Sequence, residues 1–335
     1  MITIYDIAKK TGFSISTVSK VLNKRSDVSE KTKKIINEAV TELGIYRVQM
    51  LVLFQLRNHG RLGLYLSKML EMVLSILFLM QLLKTSRKRL KLEGYDLLFA
   101  SRKIGKEKRS YLDHFMYRGV DGVVVVCSSH TPELQKLIDS DIPSVVIDLD
   151  TRGVSVVYSD NFHGAELAVD HLISLGHEKI AHISGHKKLY VGEERLQGYK
   201  QTMKKHDLFI PDEYIVDGGY FTYEGGKAAM ERLLAAKDTP TAVFVAGDLM
   251  AIGAMAAIYD AGLTIPDDIS IVGFDDIQIA EYVHPALTTI RQDTKLIGKT
   301  AATLIMDQMA NKKKAHMSVK IPVSLVTRRS CRERK

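Results

Sequence analysis

Of the 335 residues, two are cysteine and none is tryptophan. Cys127 and Cys331 form no disulfide framework and no metal-ligand spacing, as expected of a chain kept in a reducing cytosol. The N-terminus lacks the basic, then apolar, then small-residue order of an export signal. The apolar run Met69 to Leu83 contains Glu71 and is too short to cross a bilayer comfortably, so the sequence predicts a soluble cytoplasmic protein with no membrane partner. No Gly-x-Gly-x-x-Gly or phosphate loop follows a strand-like run, and no nucleophile has an identifiable base partner. A nucleotide enzyme is therefore poorly supported, and no cofactor is expected. The tail from Ser318 to Lys335 carries no leucine heptads, so a tetramerising coiled coil has no basis.

The formal net charge is +8, but the excess is local. Residues 47–91 hold nine Lys or Arg and one acid, Glu71, while the rest of the chain has 38 of each sign. Global charge thus gives no independent argument for nucleic acid.

That argument comes from the first 45 residues. Thr3 and Asp6 have capping-box spacing, with Ile4, Ile7 and Ala8 on one face of a first helix that ends at Gly12. Ser14 caps a second helix whose inward face is Val18, Val21 and Leu22. Ile15, Ser16, Ser19, Lys20 and Asn23 are left facing out. Two short helices joined by a Gly-containing turn match a helix-turn-helix reader. Ser29 caps a third helix with Ile35, Ile36, Ala39, Val40 and Leu43 on its apolar face, ending at Gly44. Lys31, Lys33 and Lys34 near its start either reach phosphates or are simply solvated.

From Gly94 the rhythm changes to strands alternating with helices. The runs Tyr95 to Ala100, Val120 to Val126, Ser144 to Asp148, Ile180 to Ser184, Ala242 to Ala246 and Ile269 to Phe274 are nearly all apolar, as parallel strands covered on both faces require. Helical segments lie between them, so the sequence predicts doubly wound α/β lobes.

The segment Ile4-Tyr5-Asp6-Ile7-Ala8, with Phe13-Ser14-Ile15-Ser16-Thr17-Val18-Ser19-Lys20-Val21-Leu22-Asn23, resembles the headpiece of the lactose-repressor (LacI/GalR) family of bacterial transcriptional regulators. The resemblance continues through Ser159 to Ala165, His171 to Ala181, Arg195 to Tyr199, Ile265 to Asp276 and Leu287 to Gln292. It implies an all-α helix-turn-helix headpiece over 1–46, a hinge over 47–60, and a region over 61–335 made of two Rossmann-like lobes resembling periplasmic binding proteins. It implies a homodimer on pseudo-palindromic operator DNA, most simply a repressor, with a small-molecule effector of the sugar kind between the lobes. Ile15, Ser16 and Lys20 would then face base edges while Thr17, Ser19 and Asn23 hold phosphates. Asp160, Arg195, Phe221, Asp275 and Gln292 would hold the effector, the chemistry suiting a polyol: carboxylates accept hydroxyl hydrogens, arginine donates in a fixed fork, and an aromatic face covers a sugar ring.

Other readings compete with these. Asp160 and Asp275 could be loop or helix-cap acids. His171, His177, His182 and His186 cluster in sequence, and a metal site is the alternative to a structural role. A solute-binding receptor on the same lobes is the other reading of the whole chain. Gly247-Asp248 stands where the family commonly has Asn-Asp, which removes a hydrogen-bonding amide from the expected pocket.

Residues 48–92 break the pattern. Val48-Gln49-Met50-Leu51 stands where the family has Pro-Asn-Ala and a hinge helix. Back-translated and read from the third base of the Val48 codon, this stretch permits Pro-Asn-Ala. The same shift across Glu71 to Ile76 permits Asn-Gly-Pro-Phe-Tyr, close to a family Asn-Pro-Phe loop. The alternatives are a divergent, helix-rich segment and an out-of-frame one, which would cost the first lobe its opening strand.

Overall fold

The computed structural model describes residues 4–22, 28–42, 60–66, 95–99, 103–104, 107–108, 110–126, 129–311 and 315–334. The headpiece consists of α1 (Ile4–Thr11), α2 (Ile15–Leu22) and α3 (Glu30–Glu42) around a small core of Ile7, Val18, Val21 and Ile36. Gly12 takes a φ of 71° at the turn, and the Ser14 hydroxyl accepts the Thr17 amide hydrogen at 3.1 Å as an N-cap. Ser29 caps α3 in the same way through Thr32. One expectation fails: Ile35 is exposed while Ile36 is fully buried. Adjacent helical positions lie about 100° apart, and a core this small accepts only one of them.

Two six-stranded sheets follow. Lobe one has the order β13-β7-β6-β5-β1-β2, built from β1 (Gly60–Leu66), β2 (Tyr95–Phe99), β5 (Gly122–Val126), β6 (Ser144–Ile147), β7 (Ser155–Ser159) and β13 (Ser318–Ile321), all parallel. A small hairpin, β3 (Lys103–Ile104) with β4 (Glu107–Lys108), precedes α4 (Tyr111–Arg118), and α5 (Pro132–Ile138) follows β5. Lobe two has the order β14-β12-β11-β10-β8-β9, built from β8 (Ile180–Ser184), β9 (Ile215–Asp217), β10 (Ala242–Val245), β11 (Ser270–Asp275), β12 (Thr288–Gln292) and the antiparallel edge β14 (Val323–Val326). Its helices are α6 (Asn161–Ser174), α7 (Tyr190–Lys205), α8 (Tyr223–Leu234) and α9 (Asp248–Asp260).

The chain crosses between lobes three times: from β7 into α6, from β12 into α10 (Thr294–Ala310), and from β13 into β14. The last helix therefore returns to lobe one, where Ile297, Ala301 and Ile305 join Val126, Val145, Ile147 and Val157 in one core. The opening strand of lobe one is present. Gly60–Leu66 lies between β2 and β5, with Leu62 in register with Leu97 and Gly122, so the expected cost of an out-of-frame segment is not seen at that position. The remainder of 48–92, including the hinge comparison at Val48 to Leu51, lies outside the described residues.

Candidate ligand cleft and nucleic-acid interface

The C-terminal ends of the parallel strands are where loops turn polar groups outward, and in each lobe those ends face the line where the chain crosses over. Arg195, on the second turn of α7, is the centre of the cleft. Its side chain is 3% exposed, its Nε donates to Asn161 Oδ1 at 2.9 Å, and its Nη1 donates to the Ala246 carbonyl. The guanidinium lies 3.6 Å from the centroid of the Phe274 ring and 5.6 Å from that of Phe221. Asp275, at the end of β11 with a φ of 120°, puts its carboxylate 3.7 Å from Arg195 Nη1. Gln292, at the end of β12, donates from Nε2 to Asp275 at 2.6 Å. Burial pushes the Asp275 carboxyl up to about 6, against the pull of Arg195 and the Gln292 hydrogen bond.

Phe221 completes the group. Its backbone is left-handed, with a φ of 60°. Its ring lies across two glycines: a Cβ on Gly185 would come within 2.5 Å of Phe221 Cζ, and one on Gly247 within 3.0 Å of Cδ1. The ring therefore fills the space that a larger residue at 247 would need. Asp248 itself is fully buried and satisfied by Thr289 and the Ile277 amide, and burial followed by Asp275 raises its pKa.

Asp160 lies between Ser159, which bonds Gln292, and Asn161, which bonds Arg195. It caps α6 through the His163 amide and pairs with Lys320 at 3.6 Å, which is the helix-cap reading. The structure instead adds Asp148, which sequence reasoning passed over. It follows β6, is 3% exposed, has a φ of 64°, and its Oδ1 has no hydrogen-bond partner. Burial raises its carboxyl to about 7, with Arg195 lowering it and Asp275 raising it. Its only signal in the sequence is a lone acid closing an all-apolar strand.

Two of the four histidines, His177 and His182, are buried inside lobe two. His177 bonds Thr241 and Ser270 at 3.0 Å each. His182 stacks against Tyr199 and Phe244, and burial pushes its pKa down to about 3, against the pull of the hydrogen bond its Nδ1 donates to the Phe244 carbonyl.

In the headpiece, Ile15 is 41% exposed, Ser16 and Lys20 are exposed, and Thr17 is half-buried with its hydroxyl 2.8 Å from Ser14 Oγ. A large apolar side chain left in water beside small hydroxyls suits contact with base edges and thymine methyls. Ser19 lies on α2, and Asn23 lies outside the described residues.

Known proteins are similar in sequence and fold. A family model described as bacterial regulatory proteins, lacI family, matches residues 3–47, and one described as a periplasmic binding protein-like domain matches 169–331. The HTH-type transcriptional repressor PurR of Pectobacterium atrosepticum is 32% identical over 337 residues, covering 98% of this chain and 97% of that protein. The chain belongs to the lacI family. Two solved members have the same fold. The transcriptional regulator CelR in complex with cellobiose is 28% identical with a TM-score of 0.72, covering 98% of this chain and 100% of that one. The lac repressor dimer bound to operator and the anti-inducer ONPF is 25% identical with a TM-score of 0.70, at 98% of each chain. This lacI-family chain is a DNA-binding transcriptional regulator controlled by a small-molecule effector.

Proposed function

We propose that residues 1–46 read the operator, that 47–60 form the hinge, and that the two lobes over 61–335 bind a sugar-class effector and hold the homodimer of a cytoplasmic repressor. The carrying observation is the convergence of Arg195, Phe221, Asp275 and Gln292 at one cleft, in a chain whose headpiece leaves Ile15, Ser16 and Lys20 outward. Asp148 and Asp275 accept hydroxyl hydrogens, Arg195 donates, and Phe221 covers a ring face. CelR, similar over the whole chain, was solved with cellobiose. Among the described residues of the cleft no side chain is arranged as nucleophile and base, and we read the chain as non-enzymatic.

Ile15, Ser16 and Lys20 contact bases in this reading, while Thr17, Ser19 and Asn23 hold phosphates. On lobe two, Tyr282 is 70% exposed beside the half-exposed Ile279 and Tyr259, a patch we assign to the dimer face. Tyr282→Asp should give a monomer by light scattering at micromolar concentration. A gel shift with pseudo-palindromic DNA, with and without cellobiose and related sugars, tests the whole reading. Lys20→Ala should change sequence preference, and equal loss on every sequence would remove it from the base-reading set.

A further inference from the structure

One hydrogen-bonded path crosses between the lobes. Ser159 ends β7 in lobe one and Gln292 ends β12 in lobe two, so both stand where the chain passes from lobe to lobe. The Ser159 hydroxyl is 2.6 Å from Gln292 Oε1, and Gln292 Nε2 is 2.6 Å from Asp275 Oδ1. Ser159 is 1% exposed and Gln292 7% exposed. The direction of the path follows from chemistry. An ionised carboxylate only accepts, so the amide must turn its NH2 to Asp275 and its oxygen to Ser159. The serine hydroxyl must then donate.

We infer that Ser159 is a positioning residue for the effector site: through Gln292 it ties the hydrogen bonding of Asp275, in lobe two, to the closeness of lobe one. Without the hydroxyl, Gln292 Oε1 is left buried and unpaired, a cost relieved when the side chain swings to water. That swing takes Nε2 off Asp275. Opening of the lobes does the same by withdrawing Ser159. Asp275 then keeps the Arg195 guanidinium and the hydrogen bond from the Asp248 backbone, both favouring its ionised form against burial. The effector carboxylate is thus prepared by the closed arrangement, and an effector that binds Asp275 acts on the crossover through the same amide.

This inference rests on the proposal that the cleft holds the effector, yet its test uses neither effector nor DNA. The Asp275 side-chain carboxyl is titrated by carbon NMR in the full chain, with Asp275→Asn locating the resonance. Ser159→Ala should raise the proton affinity of Asp275 about fivefold, the equivalent of one lost hydrogen bond. Ser159→Thr, which keeps the hydroxyl, should restore the titration to within about twofold. If Ser159→Ala does not fold, Ser159→Cys carries the test, because it is similar in size and a poorer donor. A residue that only fills space would lower the melting temperature of the Ala variant and leave the titration in place. An unmoved Asp275 overturns the inference and leaves the regulator reading standing. A failed gel shift with a moved Asp275 would do the reverse.

Discussion

Lobe two brings Arg195, Phe221, Asp275 and Gln292 to the cleft, and these four are held to one another by hydrogen bonds, a charge pair and ring contacts. Lobe one, on the same six-stranded plan, brings Asp148, with one oxygen unpaired, and the Ser159 hydroxyl. One wall is therefore assembled in advance, and the other waits for something to meet it. A preassembled wall sets which ligand fits, and an unsatisfied wall makes closure depend on what the ligand supplies.

The heaviest blow to this contrast is Arg195→Met. It leaves Asp275 and Asp148 buried without the guanidinium that favours the ionised form of each. Breaking a buried ion pair from one side costs about 3–5 kcal/mol, and here the loss should be greatest at pH 8. At pH 5 the acids take up protons and the loss should shrink. Denaturant titration at both pH values measures it, and an equal loss at each would show that the charges do not govern the wall.

Asp148→Asn should act in the opposite sense. The carboxyl titrates at about 7 in the folded chain and near 3.8 when unfolded, so the native state holds its proton longer. Stability therefore falls as pH rises from about 4 through about 7. The asparagine should remove that slope and add up to about 4 kcal/mol at pH 8, with little change at pH 4. A variant no more stable than wild type at pH 8 would mean that Asp148 already has a partner.

Gly247→Ala probes the assembled wall more gently. The new methyl meets Phe221 Cδ1 at 3.0 Å, and pushing the ring aside should cost about 1–2 kcal/mol. Phe221→Leu in the same chain should recover part of that loss. Strict additivity in the double-mutant cycle would disconnect the glycine from the ring. The smallest effect is expected away from the cleft. Ser14→Ala removes the N-cap of α2 and should cost the headpiece about 1 kcal/mol. Amide exchange should then quicken in α1 to α3 and stay unchanged in the lobes.

The same contrast between the lobes governs what could be read in advance. β8, β10 and β11 in lobe two and β2, β5 and β6 in lobe one are apolar runs with helical segments between them, and their positions follow from composition. Gly60–Leu66 could not be found that way. Its seven residues include two glycines and an arginine, and its place as a strand comes from pairing with β2 and β5 on either side. Family motifs located Arg195, Asp275, Phe221 and Gln292. Asp148 carries no motif, and Ser159 stands in one without being marked as a site residue; their importance comes from what the opposite lobe sets against them. Ile35 was misplaced for a related reason: helical spacing marks an apolar face but not how wide a stripe the small headpiece core can cover.

The three crossings also set an order of events during synthesis. Residues 161–292 form an uninterrupted stretch that holds five of the six strands of lobe two, with its four helices. Lobe one begins earlier in the chain, where α4 and α5 cover one face of its sheet, yet among the described residues the opposite face is covered by α10, which is made later. The part translated first is thus completed last. A ribosome stalled at Asp293 would hold a nearly finished lobe two beside a sheet with one bare apolar face, which is a substrate for chaperones. Truncation near the C-terminus should therefore injure the half of the protein encoded at its beginning.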